Sequence, residues 1–138
     1  MYINVHYSVG GKMKKEYLFL CNTMTYDNEK MYYFAHYVQT FFVVDLKTGN
    51  MFVEHVLDSD YYYRSFFKRG NVIFFFPEGR GKMAVYDMGT KDIDFKTIPN
   101  ELIGKDNQNW SSNYMKQGEC LYFYWQNPVI TKYDLRTG

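Results

Sequence analysis

The sequence predicts an all-β protein. Two observations carry that prediction: an excess of aromatic residues, and one turn phrase that recurs along the chain. Among 138 residues there are 15 Tyr, 12 Phe and 2 Trp, 21% of the total. Aromatic side chains fit a pleated, half-buried surface and are enriched in strands. The phrase is Val44-Asp45-Leu46-Lys47-Thr48-Gly49, which returns as Tyr86-Asp87-Met88-Gly89-Thr90-Lys91 and as Tyr133-Asp134-Leu135-Arg136-Thr137-Gly138. A worn copy is read at Val5-His6-Tyr7-Ser8-Val9-Gly10. The anchors at 6, 45, 87 and 134 are spaced 39, 42 and 47 residues apart. Spacing of this kind marks one supersecondary unit copied with loops of variable length.

Each copy of the phrase has the chemistry of a hairpin turn. An Asp carboxylate can accept a hydrogen bond from the backbone N–H two residues on and close a local turn. Gly supplies the positive φ that a three- to five-residue hairpin loop requires. In the copy at 86–91, Lys91 stands where the others have Gly and Gly89 comes earlier, so a different turn type is expected there. Upstream of the three full phrases lie apolar strands at Met31–Phe34, Val72–Phe76 and Leu121–Trp125. Before them come polar turns at Asp27–Lys30, Lys68–Asn71 and Lys116–Glu119. Earlier still are candidate strands at Asn22–Tyr26, Tyr61–Phe67 and Trp110–Met115. Mixed strands follow the first three hairpins, at Met13–Leu20, Met51–Leu57 and Ile93–Ile98. The unit is therefore four short strands, a to d. No window has convincing helical spacing; Glu101-Leu102-Ile103, within the irregular stretch Pro99–Asn109, is the one place for a helical turn.

Evenly spaced strands with a turn signal in each hairpin, four to a unit and a period near 42 residues, point to a β-propeller. The phrase at Tyr133–Gly138 and its copies resemble the c–d hairpin of WD40-like, kelch-like and quinoprotein-like blades. The resemblance covers nearly the whole chain and specifies architecture rather than family. The Gly-His and Trp-Asp pairs of WD40 blades, the Gly-Gly of kelch blades and the tryptophan docking motif of quinoprotein blades are missing. The expected fold is all-β and β-propeller-like: one domain over 1–138, with repeats at about 1–20 (partial), 21–58, 59–100 and 101–138 (partial). Its strands read c-d, a-b-c-d, a-b-c-d, a-b-c. Propellers close with four to eight blades, so this arc is expected to be a fragment of a larger protein, to be completed by another chain through its open edges, or to adopt another compact β arrangement. Val72–Phe76 is a candidate exposed edge.

Formal net charge is +1, which gives no electrostatic case for nucleic acid, a membrane surface or acidic ligands. Cys21 and Cys120 are far apart and form no disulfide framework; both are expected to be free and buried. No apolar run approaches the roughly 20 residues of a membrane helix. The start lacks a signal core, which favours the cytoplasm if Met1 is the natural start.

The resemblance implies that function sits on the d–a and b–c loops, held by a rigid scaffold. The b–c loops are Ala35–Thr40, Pro77–Gly81 and Gln126–Pro128; the d–a loops are Cys21–Thr23, Asp58–Asp60 and Pro99–Asn109. Glu78 and Arg80, on a Gly-flanked tip, are candidates for a polar ligand or a partner's carboxylate, against a plain solvated hairpin. Asp58 and Asp60 alternate as in many calcium loops, but the further oxygens such a site needs are lacking; a turn into Tyr61 is the simpler reading. Trp110, Trp125 and Tyr61–Tyr63 could stack on sugars or bases, against packing between blades. His6, His36 and His55 form no metal pattern, and no nucleophile has a base placed for it. The expectation is a non-catalytic binding or scaffolding module for a protein or glycan, with no cofactor. The alternatives are a carbohydrate-active hydrolase or lyase, resting on Glu78, Arg80, Asp58 and Asp60, or a partial gene product without independent activity.

Overall fold

In a computed structural model of the chain, the structure describes residues 2–9, 12–19, 24–77, 81–97, 114–124 and 130–137. For 2–9, 12–19, 124, 130 and 131 it describes the backbone alone. The strands are β1 (Tyr2–Val9), β2 (Lys12–Phe19), β3 (Met24–Tyr26), β4 (Lys30–Ala35), β5 (Thr40–Asp45), β6 (Met51–Val56), β7 (Tyr63–Arg69), β8 (Val72–Pro77), β9 (Lys82–Asp87), β10 (Ile93–Thr97), β11 (Tyr114–Gln117), β12 (Cys120–Tyr124) and β13 (Ile130–Asp134). They form four antiparallel sheets, each a simple meander: β1-β2, β3-β4-β5-β6, β7-β8-β9-β10 and β11-β12-β13. Among the described residues the only helical element is one 3-10 turn, His36–Val38. The predicted fold class and the strand count of each unit are those observed.

The three full turn phrases build nearly the same object. Asp45 Oδ1 accepts the N–H groups of Lys47 (2.9 Å) and Thr48 (2.8 Å). Asp87 Oδ1 accepts those of Gly89 (2.7 Å) and Thr90 (3.3 Å), and Asp134 Oδ1 accepts that of Arg136 (2.9 Å). These bonds to the charged form lower two carboxyl pKa values. Asp45 is held below its usual range first by the backbone N–H of Thr48 and then by its hydroxyl. Asp134 is held lower still by the Arg136 guanidinium, 2.7 Å away.

The expected difference at Lys91 is not found. Its N–H closes on Asp87 C=O at 2.8 Å, as the N–H of Gly49 closes on Asp45 C=O at 2.8 Å. Its φ of 68° matches the 72° of Gly49. The hydrogen-bond pattern fixes the conformation, and Lys91 accepts a left-handed backbone that favours glycine.

A second correction concerns the worn copy at the start. His6 lies mid-strand in β1, opposite Lys15, and the pair Val9–Lys12 closes the ladder. The reversal therefore comes after Val9, three residues beyond the position of the Asp in the other copies. The 39-residue spacing measured from His6 falls with it.

A further bond recurs at these turns. The residue after each Asp donates its backbone N–H to the a–b turn of the same sheet: Leu46 to Glu29 (2.8 Å), Met88 to Asn71 (2.9 Å) and Leu135 to Glu119 (2.9 Å). The a–b turns solve their own geometry in two ways. Gly70 and Gly118 adopt φ of 58°. In the first sheet Asp27 does the work with its side chain, accepting from the N–H groups of Glu29 and Lys30 and from the Tyr32 hydroxyl at 3.0, 2.8 and 2.9 Å.

The chain divides into two compact units, Met1–Asp58 and Ser59–Gly138. In the first, Tyr33, Ala35 and Phe42 form a buried cluster with Met31, Val44 and Met51 against it. Tyr33 stacks on Phe42 with ring centroids 4.9 Å apart, and its hydroxyl donates to Met51 Sδ at 3.0 Å. On the opposite face of the same strands, Tyr32, Phe34, Phe41 and Val43 are buried as well. This is why β4 and β5 read as continuous apolar runs rather than alternating ones.

In the second unit, one face of β7-β8-β9-β10 packs on β11-β12-β13. Phe67, Phe74, Phe76 and Met83 meet Leu121, Phe123 and Leu135. Phe76 and Phe123 are edge-to-face at 4.8 Å, a favoured aromatic geometry. Tyr114 donates its hydroxyl to Phe66 C=O at 2.6 Å, and Arg69 reaches Leu135 C=O at 3.0 Å and the Glu119 carboxylate at 3.1 Å. The reading of large aromatics as filler between sheets holds for these side chains. Val72–Phe76 is not an exposed edge: it is β8, paired on both sides with β7 and β9 and buried from Ile73 onward. Cys120 is free and buried; Cys21 and Glu101–Ile103 lie outside the described residues.

Candidate functional site

Of the loops named as candidates, Ala35–Thr40 and Asp58–Asp60 lie within the described residues, at the strand ends opposite the Asp turns. In the second unit, β7 begins where β8 ends, and Tyr63 pairs with Pro77. That pair sets the end of the Asp58–Tyr62 connection beside Pro77. The contact is tight. A Cβ at Gly81 would stand 2.8 Å from Pro77 Cβ and 3.1 Å from Tyr61 Cδ1. Gly81 is therefore required by close packing, not by a left-handed backbone.

Ser59 closes the turn between the two carboxylates. Its hydroxyl accepts the Tyr61 N–H at 3.2 Å and donates to Tyr61 C=O at 3.1 Å. The turn expected to lead into Tyr61 is thus closed by the serine between the aspartates. Asp58 and Asp60 are both exposed. Among the described residues no group of three or more His, Cys, Asp or Glu side chains is placed to hold a metal.

The three tyrosines that follow have three different environments. Tyr61 is half-buried against Gly81. Tyr62 is exposed, at 39%. Tyr63 is buried, donates its hydroxyl to Lys82 C=O at 3.0 Å, and has its pKa pushed up to about 12, first by burial. Of the three, Tyr62 is the most exposed.

In the first unit, the Ala35–Thr40 connection is a compact turn. Gln39 takes φ of 48°; its backbone N–H and its side-chain Nε2 both donate to His36 C=O. Thr40 Oγ1 donates to Val38 C=O at 2.8 Å, and the Leu57 N–H bonds Gln39 C=O at 2.8 Å, tying the exit of β6 to this loop. His36 is buried and Tyr37 is 67% exposed, with ring centroids 3.9 Å apart. A buried imidazole thus backs an exposed phenol ring on a turn held by four hydrogen bonds.

Of the six side chains nominated from sequence, Asp58 and Asp60 share one short exposed turn. Glu78, Arg80, Trp110 and Trp125 lie outside the described residues. Sequence reasoning did not single out Tyr37, and it named Tyr62 only within the run Tyr61–Tyr63. The available signal was an aromatic residue in a connection rather than in an apolar run, which at Tyr37 means the break after Ala35.

No protein-family model and no curated protein sequence matches the chain. Among solved structures it is similar to a WD40 propeller in the crystal structure of the mitotic checkpoint complex, at 13% identity with a TM-score of 0.56. That match covers 83% of this chain and 33% of the other. It is also similar to a streptogramin B lyase, a β-propeller, at 15% identity with a TM-score of 0.49, covering 82% of this chain and 40% of that one. The chain thus spans about a third to two fifths of the propellers it resembles. Its fold is all-β and β-propeller-like, with two four-stranded sheets, one three-stranded and one two-stranded among the described residues.

Proposed function

We propose that residues 1–138 form one propeller-like domain that acts as a non-catalytic binding or scaffolding module. Its partner is a protein, held through the d–a and b–c loops. One observation carries this reading: exposed aromatic rings stand on short, internally bonded connections, Tyr37 on the His36–Gln39 turn and Tyr62 beside the Ser59 turn. Rigid aromatic anchors bind at low entropic cost, which is why Tyr and Trp are enriched in binding hot spots. The checkpoint-complex propeller adds support by analogy of fold only. A glycan is the second partner class, because the same rings stack on sugars; Asp58 and Asp60 would then bond hydroxyl groups. The carbohydrate-active enzyme reading keeps its dependence on Glu78 and Arg80, and no described feature favours it. Within the same proposal, open blade edges allow homo-oligomers.

The test is photo-crosslinking with a reactive amino acid at position 37 or 62, and at position 92 on the opposite end as control, combined with binding to a glycan array. Protein adducts from 37 or 62 and none from 92 are expected. Adducts only from 92, or none anywhere, would sink the loop reading. Sugar binding lost in Tyr37→Ala or Tyr62→Ala would move the partner class to glycans.

A further inference from the structure

The buried cluster of the first unit contains one polar contact between side chains. Tyr33 is 1% exposed, and its hydroxyl donates to Met51 Sδ at 3.0 Å. Sheet register brings the two together. Tyr33 on β4 pairs with Phe42 on β5, and Val44, two residues on, pairs with Met51 on β6. Residues two apart on a strand share a face, so Tyr33, Phe42, Val44 and Met51 lie on one side of the sheet. The Tyr33 ring is held there by its stack on Phe42, 4.9 Å away. Burial raises its pKa, so the hydroxyl keeps its proton and stays a donor at neutral pH. Met51 is half-buried. Among the described residues it is the one methionine whose sulfur receives a hydrogen bond.

We propose that Met51 is a stereoselective oxidation site, where the Tyr33 hydroxyl covers one face of the sulfur and a hydroperoxide takes the other. A thioether sulfur carries lone pairs on both sides of its C–S–C plane and is a weak acceptor. Oxidation through one side gives one sulfoxide epimer, and oxidation through the other side gives its opposite. At Met51 the Tyr33 hydroxyl holds one lone pair, and it does so from the buried side. The remaining lone pair attacks the terminal oxygen of the peroxide. The S–O bond forms as the O–O bond breaks, so the sulfur is oxidised by two electrons and the peroxide is reduced. The proton on the transferred oxygen passes to the departing hydroxide or alkoxide, and the products are one sulfoxide and one molecule of water or alcohol. Tyr33 exchanges no bond in this step; it shields and orients the sulfur. Each epimer of methionine sulfoxide is reduced by its own enzyme, so this site would depend on one of the two reductases for its repair.

The test is oxidation of the folded full chain with hydrogen peroxide, followed by digestion. The peptides are then reduced with each of the two stereospecific methionine sulfoxide reductases and read by mass spectrometry. Met24 and Met115, 45% and 62% exposed, are internal controls and are expected to give both epimers in similar amounts. At Met51 one epimer is expected to exceed the other by about tenfold, the scale set by breaking one hydrogen bond to reach the covered face. The excess is expected to vanish when the chain is oxidised in denaturant. Tyr33→Phe keeps the ring that stacks on Phe42 and removes the donor. With circular dichroism unchanged, it is expected to bring the two epimers at Met51 to similar amounts. Equal epimers at Met51 in the folded wild type overturn the proposal, as does an unreacted Met51 beside oxidised Met24 and Met115. An excess that survives Tyr33→Phe overturns the part given to the hydroxyl. If Tyr33→Phe unfolds the chain, the wild-type Tyr33 ring resonances decide: they are expected to shift when Met51 is oxidised, and unchanged resonances overturn the contact.

Discussion

The two ends of each four-stranded sheet are closed by different side chains. At the turn end, side chains serve the backbone: Asp27, Asp45 and Asp87 direct their carboxylates into nearby N–H groups. At the loop end, neutral side chains close the connections, Gln39, Thr40 and Ser59 bonding backbone groups, and Tyr37, Tyr62, Asp58 and Asp60 are exposed. A carboxylate that closes a turn is spoken for. The difference teaches where to look for recognition in a repeat protein: at the end that leaves aromatic rings and carboxylates exposed.

The largest expected effect calibrates the comparison, because it should not distinguish the ends. Phe123→Ala removes a fully buried ring that meets Phe76. It is expected to cost about 3–5 kcal/mol, read by chemical denaturation, and to loosen both ends of the second unit together. A loss below about 1 kcal/mol would mean that the two sheets do not share a core. Gly81→Ala then tests the loop end alone. The new methyl group meets Pro77 and Tyr61, and overpacking of this kind costs about 1–3 kcal/mol. Tyr61 fluorescence or proteolysis near residue 60 should report the displacement.

Asp87→Ala tests the turn end and is expected to cost about 1 kcal/mol through two lost turn bonds. Lys91→Gly should act in the other direction, stabilising by about 0.5–1 kcal/mol, because glycine takes the φ of 68° without strain. Destabilisation instead would show that the lysine side chain contributes more than its backbone costs.

Titration separates the ends again. Asp45 and Asp134 have pKa values lowered by folding, so their contribution is present above the ordinary carboxylate value of about 4 and fades as pH falls below it. Tyr63 has its pKa raised to about 12. Its contribution is present below the unfolded value of about 10 and is lost as pH rises from there to 12. Acid should therefore weaken the turn end first, whereas alkali should loosen both ends, because Tyr32, whose hydroxyl donates to Asp27 at the turn end, is also pushed up to about 12, first by burial. Amide exchange or site-resolved chemical shifts at pH 3 and pH 11 check this, and a loop end that loosens before the turn end at pH 3 would contradict it.

Much of the fold was legible because its signals are local. The Asp phrase gave the hairpins, and the apolar runs gave β4, β8 and β12 to within a residue or two. The errors have physical causes. His6 resembled an anchor by position, but it lacks the carboxylate that makes the turn, and the chain continues as a strand through it. Lys91 departed from the glycine pattern, yet the Asp87 bonds held the backbone in place. Val72–Phe76 could be read as an edge because aromatic density does not say whether a strand is central; pairing on both sides decides that. The candidate site was less legible. Whether Tyr37 is exposed while Tyr63 is buried depends on which strands lie beside each, and spacing along the chain carries no such information.

The bonds from Leu46, Met88 and Leu135 to the neighbouring turns have a spectroscopic consequence. These amides sit in surface turns, where deuterium normally replaces hydrogen within seconds, yet each is locked to a carbonyl across the sheet end. Their protons should leave only when the two turns of a blade separate. Three isolated slow signals at 46, 88 and 135 would then serve as one clock per blade, timing the opening of each without a mutation or a label.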